Sequence, residues 1–163
     1  MAEPIIDFRN FLRNNLTDYN TSRKAVGTGQ GVQWIFDDPP LPSLDKWSYP
    51  RIGLDASSGM GELLGAGSTD IYETIVIGVE IWSFKGLELV VGGSLIKDYA
   101  LVDKIANDVR SNLRQQWATS SDLSEVKYNG FRINRDKRVP YVVDRRRYGR
   151  VMDIELLAFN PGE

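Results

Sequence analysis

Apolar residues recur along this chain with two rhythms, every three or four positions in two places and every second position elsewhere, and these divide it into elements. Ile5, Phe8, Leu12 and Leu16 predict a helix over about Pro4 to Leu16, with Pro4 in the first turn, where a missing N–H costs nothing. The same helical spacing returns at Leu101, Val102, Ile105, Val109, Leu113 and Trp117, and predicts a second, longer helix over about Asp98 to Trp117. Asp98 is placed as its N-cap, with Asp103, Lys104, Asp108, Arg110 and Arg114 on the watered face.

The two-residue rhythm is clearest in IYETIVIGVEIW, where Ile71, Ile75, Ile77, Val79 and Ile81 fall on one parity with Glu73 as the exception. One face of that strand is core. VQWIF (Val32 to Phe36) and RIGLDA (Arg51 to Ala56) read as shorter strands, and FKGLELVVGGS as a hairpin arm punctuated by Gly86, Gly92 and Gly93. Beyond Leu123 three further strands are predicted, around VKYNGFRIN, RVPYVVD and YGRVMDIELLAF, with Asn129 and Gly130 as a turn inside the first.

Two stretches break these rhythms. Thr17 to Gly31 is polar and glycine-bearing, and DDPPLPSLDKWSYP carries prolines at 39, 40, 42 and 50, which forbid regular strand pairing. Trp47 and Tyr49 are expected to anchor that connector to the body. Ser57 to Asp70 mixes glycine with serine and threonine and is expected to be a loop that a partner orders. The order of helix, strands, helix, strands predicts an α+β fold: a mixed or mainly antiparallel sheet with two main helices packed on one face. The whole chain, 1–163, reads as one domain with a flexible, proline-bearing insertion at about 17–49.

Composition narrows the chemistry. Histidine and cysteine are both absent. That removes the commonest general base, the usual partner of a serine nucleophile, thiolate metal ligands and any disulfide. No two carboxylates have the spacing of an acid and base pair. The glycine clusters GTGQG and GMGELLGAGS lack the lysine and hydroxyl residue of a phosphate-binding loop, and neither sits between a strand and a helix. The expectation is a chain that is no enzyme and uses no cofactor or metal. The opening residues lack the pattern of a secretory signal, and no apolar run reaches the length of a membrane span, so no membrane partner is expected.

The formal net charge of −2 hides an uneven distribution, because nine basic residues lie between Lys127 and Arg150 against only Asp136 and Asp144. Arg145, Arg146 and Arg147, flanked by Tyr141 and Tyr148, combine guanidinium groups with rings, as contacts to phosphate and base would. The overall acidic balance and the mixed charge of the second helix argue against sequence-specific reading of DNA. A solvated basic hairpin is the plain alternative.

Laid out this way, the chain resembles the tail terminator, or tail completion, proteins of long-tailed bacteriophages and related archaeal viruses. The resemblance rests on IIDFRNFLRNNL, SYPRIGLDASSG, YETIVIGVEIWSF followed by ALVDKIANDVRSNLRQQW, and the closing GFRINRDKRVPYVVDRRRYGRVMDIELLAF. It covers most of the chain apart from about Thr17 to Asp45, and it is one of element order rather than of a catalytic motif. It implies a non-enzymatic virion protein at the junction of tail and neck, assembled in the host cytoplasm. Six copies would form a ring on the last ring of tail tube protein, end tube growth and meet a neck or head-closure protein, with genomic DNA passing through the lumen. On that reading Arg132, Arg135, Arg138, Arg145, Arg146, Arg147 and Arg150 are candidates for facing the lumen or an acidic neighbour. Ser57, Ser58, Met60, Glu62, Leu63, Leu64, Ser68 and Thr69 are candidates for a loop that grips the tube. Another head–tail connector, an adaptor or head-closure protein, is the nearest alternative, and a nucleic-acid-binding accessory domain the next.

Overall fold

Strand Ile71–Phe84 (β3) organises the fold, because its alternating apolar positions need partners on both edges. A computed structural model describes residues 4–16, 34–37, 49–63, 71–123, 128–143 and 146–160. In chain order these residues form α1 (Pro4–Asn15), β1 (Ile35–Phe36), β2 (Arg51–Leu63), β3, β4 (Glu88–Val91), β5 (Ser94–Lys97), α2 (Asp98–Gln116), a short 3-10 turn at Trp117–Thr119, β6 (Gly130–Val142) and β7 (Arg147–Asn160). The main sheet has the order β1-β2-β3-β7-β6, and β4 and β5 form a separate hairpin. All neighbouring strands are antiparallel except β1, which runs parallel to β2. This is the α+β architecture expected.

Cross-strand register carries the parity of β3 through the sheet. Ile77 lies opposite Ile154 and Val79 opposite Met152, while Ile52 lies opposite Ile81 and Leu54 opposite Val79. All of these are buried. They join one cluster with Phe8, Phe11 and Leu12 of α1 and with Leu101, Val102, Ile105, Val109 and Leu113 of α2. Burying each such side chain stabilises the fold by roughly 1.5–3 kcal/mol. Trp117 is half-buried and packs on Phe131, ring centroids 4.9 Å apart.

Polar ties fix the edges of this core. Arg13 of α1 donates twice to the carbonyl of Ile35, at 3.1 and 2.7 Å, and Arg9 pairs with Asp37 at 2.7 Å. Tyr49 packs on Trp34 with ring centroids 5.4 Å apart, so one of the two expected anchors does hold the connector to the body. Trp47, the other, lies outside the described residues, as do 17–33 and 38–48, which make up most of the expected insertion.

Several local expectations are corrected. Ser57 to Leu63 is strand rather than loop: β2 continues along β3, pairing Ser57 with Val76 and Ser58 with Ile75, then, past a bulge, Gly61 with Glu73 and Leu63 with Ile71. The long apolar strand alongside supplies hydrogen-bond partners that outweigh the loop composition of β2. Beyond Leu123 there are two strands, not three. β6 runs on through Pro140, which is tolerated because β6 is an edge strand and its register with β7 shifts there. Asn129 and Gly130 make no hairpin turn; the Asn129 amide donates to the carbonyl of Leu157 and Gly130 opens β6. The N-cap of α2 is Lys97, and Asp98 is its first residue, in the left-handed region at φ +57°. Within VQWIF only Ile35 and Phe36 are strand among the described residues.

Candidate assembly surfaces

The seven arginines singled out in the basic stretch do not gather on one surface. Because side chains alternate along β6 and β7, they divide between the two faces of the sheet. Arg138 lies opposite Arg150 in the register, and both turn toward α2. There Arg150 donates to Asp103 at 2.7 Å and to Asp136 at 2.5 Å, Arg138 pairs with Asp103, and Arg110 of α2 pairs with Asp136. Three guanidinium groups thus share two carboxylates between helix and sheet. Burial alone would raise the Asp103 carboxyl, but hydrogen bonds and charge from Arg138 and Arg150 together hold it below the ordinary carboxylate range. Asp103 and Arg110 were expected to face water; they form part of this network.

The remaining arginines lie elsewhere. Arg132 pairs with Glu155 at 2.6 Å and Arg135 with Asp153 at 2.9 Å, on the face away from the core cluster. Arg147 is buried, its guanidinium 4.5 Å from the ring centre of Trp82. Arg146 is exposed in the turn before β7, in the left-handed region at φ +49°, and its side chain meets no carboxylate among the described residues. Arg145 lies outside the described residues. Four of the seven arginines are therefore matched within the molecule, by carboxylates distant in sequence.

Of the candidate tube-contact residues, Ser57, Ser58, Met60, Glu62 and Leu63 belong to β2, and Leu64, Ser68 and Thr69 fall outside the described residues.

Two features that were not singled out in advance emerge instead. The first is the β4–β5 hairpin, which turns at Gly92 and Gly93, both at positive φ, and is joined to β3 by a turn at Gly86. Val90 and Leu95 lie directly opposite one another on it and are 55% and 59% exposed, while Leu89 and Ile96, the next pair, face the core. The alternation of LELVV carried this signal, since one parity of a hairpin outside the main sheet has nothing described to pack on.

The second is a recess of about 190 Å³ on the half-exposed sheet face, lined chiefly by Asp55, Val76, Gly78, Glu80, Arg135, Val151 and Asp153. Register explains it. Asp55, Gly78, Asp153 and Arg135 form one row across four strands, and Gly53, Glu80, Val151 and Lys137 form the next. Arg135 is satisfied by Asp153. Along its row Asp55 stands three strands from Arg135, and no ion pair joins Glu80 to Lys137, two strands away. Asp55 and Glu80 thus meet no cation among the described residues. Gly78, between the carboxylates of its row, leaves the floor open. A Cβ there would meet only ordinary contacts, the nearest the Asp55 carbonyl at 3.6 Å, so packing does not require a glycine at this position.

Among the described residues no helix is long and apolar enough to cross a membrane, and no group of three potential ligands is placed to hold a metal ion. Comparison of the chain with protein-family models and with curated proteins finds no match.

Proposed function

We propose that this chain is a non-enzymatic virion assembly protein of the tail terminator kind, which forms a ring on the end of a tail tube, stops its growth and joins it to the neck. The observation that carries the reading is the β4–β5 arm, which stands outside the main sheet with Val90 and Leu95 paired in solvent. An apolar cross-strand pair on the outer face of a hairpin is costly in water and suits burial against another protein. The resemblance in element order supports the same reading, as does a sheet face whose charges are arranged in rows rather than gathered into a catalytic constellation. The blunted edge of β6 fits a protein that assembles by chosen surfaces. Arg132, Arg135, Lys137 and Arg138, two register shifts, Pro140 and the Tyr99 hydroxyl on the Val139 carbonyl all discourage open-ended strand pairing there.

The direct test is to add the purified chain to polymerising tail tube protein and image the products. The reading requires short tubes with a ring at one end, their length falling as the chain is added. Tubes of unchanged length without terminal rings would refute it.

A further inference from the structure

Wherever the half-exposed sheet face carries paired charges, the partner is on the neighbouring strand; the Gly78 recess is where that pattern stops. Asp55 and Glu80 edge it without an ion pair to either among the described residues, and Val76 and Val151 supply apolar walls. Among the described residues several exposed cations are equally unmatched, Arg114 and Lys137 singly and two others side by side. Lys85, in the turn after β3, and Arg146, before β7, are tied together by the Lys85 amide donating to the Arg146 carbonyl at 2.8 Å. Neither side chain meets a carboxylate among the described residues. The two form a basic tip at one end of the sheet.

This tip cannot fill the recess of its own molecule. Phe84 is opposite Arg147 and Gly78 opposite Asp153, so tip and recess are separated by six residues along β3, about 20 Å of strand. The cations of this tip can therefore meet the carboxylates in the middle of the sheet face only in another copy. We propose that the Lys85–Arg146 tip of one copy docks into the Gly78 recess of the next, Asp55 and Glu80 accepting its two cations. Such a contact joins two different surfaces, so it is head-to-tail and propagates into a ring when its rotation closes. The inference rests on the ring reading above for its biological meaning but not for its geometry. Gly78 acquires a reason: it keeps open a space that folding does not require. Charge complementarity of this kind also sets the register and direction of the contact.

Zero-length carbodiimide coupling of an equal mixture of isotopically light and heavy protein tests the contact with the native side chains. It joins an amine to a carboxylate only when they touch, and Lys85 lies too far along β3 from Glu80 and from Asp55 to couple within one copy. The proposal predicts mixed light–heavy peptides joining Lys85 to Asp55 or Glu80. They should fall at least tenfold in Gly78→Val, which fills the recess with a residue that strands favour, and in Arg146→Glu. Circular dichroism and urea midpoints establish that both variants fold. Absence of the mixed peptides in the native protein, or their persistence in folded Gly78→Val, overturns the proposal. Rings without these cross-links would retire this contact and leave the ring reading standing, whereas cross-links without rings would do the reverse.

Discussion

Arg150 on β7 donates to the carboxylate of Asp103 on α2 at 2.7 Å, which ties the end of the basic stretch to the longest helix described. Asp103 also receives Arg138, and Arg150 reaches on to Asp136, so removing Asp103 strips a carboxylate from two guanidinium groups at once. Asp103→Asn is expected to lower stability by about 1–2 kcal/mol, read as a lower urea midpoint with unchanged slope. The effect has a pH signature. A carboxyl held below its ordinary value contributes stability that is present above about pH 4 and lost as pH falls through the depressed folded value. The acid limb of the stability curve should therefore be shallower in Asp103→Asn than in the native chain.

Tyr128, just before β6, donates its hydroxyl to Asp7 of α1 at 2.9 Å in a buried setting. Burial, and then the Asp7 carboxylate, push the phenol well above its ordinary value. The stability it contributes is present below about pH 10 and lost as pH rises beyond that, because the unfolded chain ionises first. Tyr128→Phe should cost about 1–3 kcal/mol at neutral pH, as expected for a hydrogen bond to a charged group, and should flatten the alkaline limb.

Two glycines of the same sheet face predict opposite outcomes. The Trp82 ring lies over Gly149, and a Cβ at Gly149 would overlap it. Gly149→Ala should therefore destabilise by about 1–3 kcal/mol. Gly78→Ala meets only ordinary contacts and should be neutral or stabilising by about 0.5–1 kcal/mol, since glycine is unfavourable within strands. Thermal melts of the pair check both signs.

On the β4–β5 arm, Leu95→Asp and Val90→Asp remove apolar surface that is exposed in the free chain. Each is expected to shift stability by no more than about 0.5 kcal/mol while abolishing assembly. Parallel measurement of urea midpoint and assembly state separates these effects.

The pairing of Arg132, Arg135, Arg138 and Arg150 with carboxylates withdraws four cations of the basic stretch from contact with DNA. The chain is expected to pass through a DNA column at about 0.15 M salt without retention, because release of counterions needs unpaired cations. Strong retention would mean that the internal pairs open on contact.

The fold was legible where one rhythm dominated. The stripe from Leu101 to Leu113 and the parity of Ile77, Val79 and Ile81 identified α2, β3 and the core face, because burial acts on side chains at the helix and strand periods. Sequence reasoning failed where the deciding partner is distant. Ser57 to Leu63 has the composition of a loop, and only the neighbouring β3 makes it a strand. The run from Lys127 to Arg150 looks like a basic patch until Asp103, Asp153 and Glu155 are brought beside it, two of them from β7 and one from α2. The Asp55–Gly78–Asp153–Arg135 row joins four strands, and no local window contains it. The exposed pair Val90 and Leu95 was within reach of periodicity, once the arm was known to stand outside the main sheet.

The central claim, that the chain closes into a ring of six, is tested most directly by native mass determination with negative-stain imaging across a concentration series into the millimolar range. The account predicts closed sixfold rings that grow in population with concentration and disappear in Leu95→Asp. Twelvefold rings, or a monomer at every concentration, would contradict it.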